Sequence, residues 1–145
     1  MASAQSQLVL ELPDVATSPP RGGTQLVGVP VWFWVTNSAP AATTAEIPGL
    51  AVTLSAVPTS TRYRIGDATL TCDGAGTAYD PDRPAAGQHS DCTHTFDQNA
   101  TVTVDATVDW QLTWTATNGQ AGDLPTVSRT TSFTLTLEQA QAVTT

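Results

Sequence analysis

Two cysteines, Cys72 and Cys92, bracket a stretch rich in Gly, Asp and Pro, and both histidines and several aspartates lie inside or beside it. Two thiols at this separation, with no CxxC pair, supply half of a zinc site, whereas a disulfide needs only these two. A disulfide is the expectation. Closing a loop of this length restricts the unfolded chain by about 3 kcal/mol. It also points to an oxidising compartment. Asp73, Asp80, Asp82, Asp91, His89 and His94 are hard and borderline ligands of the kind that gather round calcium or, less well, zinc. Their spacing matches no metal loop. An EF-hand wants acids at alternate positions, a glycine at the sixth and a glutamate at the twelfth, and Asp80-Pro81-Asp82 delivers only the first two. Asp80 ahead of a proline reads more simply as a turn initiator, with His94 packing near the disulfide. No cofactor is therefore expected, and a calcium ion, if one bound, would use Asp73, Asp80, Asp82 and Asp91.

Aromatic residues offer a second kind of chemistry. Trp32 and Trp34 are two apart in an extended segment, so they share one face at a separation of ~6.6 Å and can form a platform for a sugar ring. The alternative is that the first strand or a neighbouring loop covers them. Trp110 and Trp114 lie ~13 Å apart along another strand, but on an uninterrupted apolar face, which makes them core residues. Asp105 and Asp109 share the opposite face and invite comparison with paired glycosidase carboxylates. Four strand residues separate them by ~13 Å, beyond the ~9.5 Å upper spacing of inverting enzymes. A Ser-His-Asp triad has no support either, since no Gly-x-Ser-x-Gly elbow is present and both histidines sit near the cysteine loop. No enzyme activity is expected. Asn99-Ala100-Thr101 matches a glycosylation sequon and is read as chance.

Composition narrows the partners. The 145-residue chain has net charge −8 and all five of its basic residues are arginine. A polyphosphate would meet a repelling field, so nucleic acid is not an expected ligand. The missing lysines exclude a Schiff base and a P-loop. No apolar run approaches the ~20 residues that span a bilayer, and Met1 to Gln7 lacks the basic and apolar regions of a signal. The chain as given is expected to be soluble, without membrane insertion, and secreted or displayed at a cell surface by a signal or anchor it does not carry.

The elements that must position these residues are strands. Abundant Thr and Val, 12% charged residues, and ten each of Gly and Pro favour short strands punctuated by turns. Gln7 to Leu12 alternates Leu8, Leu10 and Leu12 against Val9 and Glu11, a strand with one apolar face. Pro13 to Gly23 reads as a flexible connector, which makes residues 7–12 a detachable arm able to complete a partner's sheet. Leu26 to Val35 is a second strand, followed by a loop rich in Ala, Thr and Pro. Leu50 to Val57 is a half-buried strand ended by Pro58. Tyr63 to Ile65 and Ala68 to Cys72 flank a turn at Gly66-Asp67. Val102 to Ala116 alternates without exception, and Val127, Thr131, Phe133, Leu135 and Leu137 complete a long hairpin with Arg129 as the odd residue on its inner face. The tail from Glu138 has no strand pattern.

His94-Thr95-Phe96 followed by Thr101 to Val104 resembles the His-x-aromatic segment and succeeding strand of the PKD domain, an immunoglobulin-like module of extracellular proteins. Tyr63-Arg64-Ile65-Gly66-Asp67-Ala68 keeps the Gly-Asp centre of that family's turn. The Val31-Trp32-Phe33-Trp34-Val35 segment and the inserted cysteine loop are similar to PKD-like exported proteins of actinobacteria. The resemblance implies a noncatalytic spacer or a protein- and glycan-contact module at the cell surface.

The expected fold is thus all-β, an immunoglobulin- or PKD-like antiparallel β-sandwich with one disulfide-closed loop, with a closed barrel as the alternative. Residues 1–24 form an arm and connector, 25–137 the sandwich, and 138–145 a tail. The expected function is contact with another protein through the stapled loop, the open sheet edges and the arm, with carbohydrate binding as the alternative. Trp32, Trp34, Tyr79, Asp80 and Asp82 are the candidate binding residues.

Overall fold

The computed structural model describes residues 10–84 and 86–139, and these form strands and turns with no helix. In chain order the strands are β1 (Val15–Ser18), β2 (Thr24–Leu26), β3 (Val31–Val35), β4 (Ala41–Ile47), β5 (Leu50–Ile65), β6 (Ala68–Asp73), β7 (Thr93–His94), β8 (Ala100–Ala116) and β9 (Ala121–Glu138). Sheet A has the order β1-β3-β7. Sheet B has the order β2-β9-β8-β5-β4, with β6 also paired to β5, and it curls into a half-barrel.

Three long strands, β5, β8 and β9, carry sheet B, and each passes a proline or its partner's bulge without losing its inner face. Pro58 lies opposite Trp110 and Ser60 opposite Asp109, which leaves Thr59 as an extra residue. Before this bulge the even-numbered Leu54 and Ala56 face inward, and after it the odd-numbered Thr61, Tyr63 and Ile65 do. One added residue inverts the alternation, so a strand with a period break still presents a single apolar face. β9 does the same at Pro125-Thr126: Trp110 pairs with Val127 but Leu112 with Leu124. Proline lacks the ladder N–H and is tolerated at bulges. The expectation that Pro58 ends a strand is therefore corrected, because the strand runs through it.

Sheet A covers one end of the concave side of sheet B. Val31, Phe33 and Val35 point inward from β3 and are buried with Tyr63, Val104, Ala106, Val108 and Leu135. The Phe33 and Tyr63 rings meet at 5.0 Å. Each valine, leucine or phenylalanine among them, fully buried, contributes about 1.5–3 kcal/mol. Trp110 belongs to this core, whereas Trp114 is only half-buried and lies over Gly122, where a Cβ would stand 2.8 Å from its Nε1.

Several sequence expectations change. Val15–Ser18, read as connector, is an edge strand in register with β3, from Val15 opposite Val35 to Ser18 opposite Trp32. The prolines that follow are tied down: the buried Gln25 donates from Nε2 to the Pro19 and Pro20 carbonyls at 2.9 and 3.1 Å. The strand expected from Leu26 to Val35 divides between the sheets, since β2 pairs parallel with β9 while β3 joins sheet A. Pro30, without a donor, stands at the crossing. Ala41–Ile47, read as loop, is a strand on the edge of sheet B. Of the arm, residues 7–9 lie outside the described residues. Leu10 to Leu12 is not strand; Leu10 is buried, and its carbonyl accepts from Arg129 Nε at 3.1 Å. That contact accounts for the arginine on the inner face of β9. Residues 140–145 of the tail also lie outside the described residues.

Candidate functional site

Cys72 is the penultimate residue of β6 at the edge of sheet B, and Cys92 directly precedes β7 at the edge of sheet A. Their disulfide, with a Cα–Cα distance of 5.5 Å, crosslinks the two sheets and closes the loop between them. Both cysteines are buried. The loop then continues along β3 on the side where β7 pairs. The Phe33 amide donates to the Cys92 carbonyl at 3.0 Å and the Val35 amide to the Ala75 carbonyl at 2.9 Å. Gly76 passes so close that an added Cβ would stand 2.9 Å from the Phe33 carbonyl oxygen, and its φ of +85° is one that L side chains rarely adopt.

Beyond Gly76 the loop folds across the outer face of sheet A. Alternation on β3 puts Trp32 and Trp34 on that face, opposite Val31, Phe33 and Val35, and both indoles are half-buried. Tyr79 meets Trp32 edge-on, with ring centroids 5.1 Å apart and planes at 80°, a favoured aromatic geometry. The paired platform expected from sequence is thus partly roofed. Trp32 instead forms the floor of a 160 Å³ cleft whose walls include Asp80, Arg83, Gln88 and His89.

Gln88 holds this cleft in shape. Its Oε1 accepts from the Asp80 amide at 2.9 Å, and its Nε2 donates to the carbonyls of Asp80, Arg83 and Pro84 at 2.9, 3.3 and 3.1 Å. One side-chain amide here does the work of a paired strand. Asp80 Oδ1 accepts from the Asp82 amide at 2.9 Å, the turn-initiating role expected of an aspartate before proline. His89 Nε2 and Asp91 Oδ1 stand 3.0 Å apart on the exposed rim. His94 lies on β7, its ring 4.7 Å from that of Phe96.

The acids considered for calcium do not converge. Asp73 and Asp91 flank a separate 210 Å³ groove beside the disulfide, while Asp80 and Asp82 belong to the turn across the loop. Among the described residues no group of three His, Cys, Asp or Glu side chains is placed to hold a metal ion.

Asp109 sits on the polar outer face of sheet B, away from the loop cleft. Arg62 grips it through Nε and Nη2, both at 2.9 Å, and Ser60 and Ser128 donate to it at 3.2 and 2.6 Å. The Arg62 hydrogen bond above all, with the serine hydroxyls, holds the Asp109 carboxyl below its ordinary range. Asp105 pairs instead with Ser132. The two carboxylates serve separate cross-strand networks.

Gln88 and Arg83 were not singled out by sequence reasoning, because nothing in Gly87-Gln88-His89 signals an amide that imitates backbone. The chain matches no model of a known protein family, no curated protein and no solved structure. The arrangement is a cleft with Trp32 at its floor, Asp80, Arg83, Gln88 and His89 along its walls, and the His89–Asp91 pair exposed beside it.

Proposed function

We propose that the chain is a noncatalytic extracellular contact module that recognises another protein through the Cys72–Cys92 loop, in the manner of PKD-like immunoglobulin sandwiches. One observation carries the reading: the loop is clamped at its ends by the disulfide, braced inside by Gln88 and seated on Trp32, so its exposed Asp82, Arg83 and His89 have little left to lose on binding. Preorganisation of this kind lowers the entropic cost of association. A buried disulfide accords with an oxidising, extracytoplasmic setting, and no described helix is long and apolar enough to cross a membrane.

A glycan is the second reading. It is favoured by the half-buried Trp32 beside Asp80, Arg83 and Gln88, an aromatic face with charged and amide hydrogen-bonding groups at its edge. The two readings separate in one experiment. The oxidised chain and a D82A/R83A variant are used as bait against the native culture fluid, and both are titrated with polysaccharides while Trp fluorescence is recorded. Capture of one protein by the parent but not by the equally stable variant supports the first reading. Saturable fluorescence change with a polysaccharide, and no protein captured, replaces it with the second.

A further inference from the structure

The edge strand β4 is unusual in what it lacks. Natural sheets guard exposed edges with lysine, proline or bulges inside the strand. Ala41-Ala42-Thr43-Thr44-Ala45-Glu46-Ile47 has none of these and a single charge. It pairs with β5 on one side in unbroken register from Ala41 opposite Ala56 to Ile47 opposite Leu50. Among the described residues no other segment's backbone bonds to its outer side. At its end Ile47 is 64% exposed, more than any other large apolar side chain described.

We propose that β4 is the interface of a homodimer, in which it pairs antiparallel with β4 of a second copy about a two-fold axis through Thr44. An isologous contact must be self-complementary, and this strand is. With Thr44 opposite itself, Thr43 faces Ala45, Ala42 faces Glu46, and Ile47 packs beside Ala41. The lone charge meets a methyl group and not its own copy. Pro40 and Pro48, which bracket the strand, stand opposite each other at both ends, so the ladder terminates where its donors do. Period-2 alternation keeps Ala41, Ala45 and Ile47 of both copies on the concave side and Thr44 on the outer side, where it already bonds Thr53 at 3.0 Å. The two half-barrels thereby become one continuous sheet. Seven residues a side make a small interface, so the dimer forms in a concentration-dependent way.

Sedimentation of the full chain across a concentration series tests this. The mass rises from 15.1 kDa to twice that value. Ala42 is exposed on the outer face, so its replacement leaves the fold intact. A42E sets two carboxylates against each other, twice by symmetry, and moves dimerisation to about tenfold higher concentration, while A42K moves it lower. T44C forms an intermolecular disulfide on oxidation. A chain that stays monomeric throughout, or a dimer indifferent to A42E and A42K with T44C uncrosslinked, overturns the proposal.

Discussion

Tyr63 shows how much a single atom can matter in this core. Its ring is fully buried against Phe33, yet among the described residues its hydroxyl has no hydrogen-bond partner. Burial without a partner pushes its ionisation well above the ordinary tyrosine range. Tyr63→Phe removes an unsatisfied polar group while keeping the ring, so it should stabilise the fold by about 1 kcal/mol. Thermal melts at neutral pH check this. The sign of the pH effect follows from the raised value. The contribution of a neutral buried phenol is intact below the unfolded-state value of about 10 and is lost as pH rises above it. The parent should therefore lose more stability than Tyr63→Phe between about pH 10 and pH 12, measured as the difference in melting temperature. Asp109 behaves in the opposite sense: its lowered pKa gives stability that is present at neutral pH and is lost as pH falls below the usual carboxylate range. Arg62 is half exposed, so solvent screens the pair. Arg62→Ala should cost about 1 kcal/mol at pH 7 and less at pH 3, read from urea unfolding at both values. A cost that does not shrink on acidification would contradict this assignment.

At the scale of elements, the two proline-marked bulges and the stapled loop decide the architecture. The alternation of Val102 to Ala116 announced β8 because that strand has no bulge of its own and keeps one parity throughout. β5 was legible only in halves. Its inner face switches from even to odd residues at Thr59, and a period-2 reading that does not allow an extra residue must stop there. β4 escaped notice because alanine and threonine alternate little in polarity, and its assignment comes from pairing with β5 and not from its own pattern. The disulfide was legible because two cysteines leave one pairing. Gly76 was not, since its role depends on the approach of β3 from across the fold. Gly76→Ala meets both an unfavourable φ and the Phe33 carbonyl. It should destabilise the protein by about 1–3 kcal/mol. Calorimetry of this variant, with Gly74→Ala as a comparison whose Cβ meets nothing, separates the contact from the φ effect. Equal losses in the two would remove the close-approach argument.

For the whole molecule, the expectation of an all-β, disulfide-closed fold holds, and the structure adds that the staple joins two sheets of unequal size. The smaller sheet and the long loop make one end of the molecule, and sheet B carries the unguarded edge of β4. The sequence marked Trp32, Trp34, Tyr79, Asp80 and Asp82 as binding residues; the fold brings Trp32, Tyr79 and Asp80 together and sets Asp82 on the same turn, with Trp34 farther along the same face. It does not gather the acids of the loop. Nearness across a loop is a tertiary property that spacing does not encode. Removing the staple with C72A/C92A should cost about 3 kcal/mol, and it should loosen the loop and sheet A before sheet B. Whether the loop is held in one shape is measured most directly by hydrogen exchange of the oxidised chain. The amides of Asp80, Asp82 and Arg83, which donate to Gln88 and Asp80, should exchange slowly in the disulfide form and quickly in C72A/C92A. Exchange at the rate of unfolded peptide in both would show a loop with no fixed surface and would contradict the account.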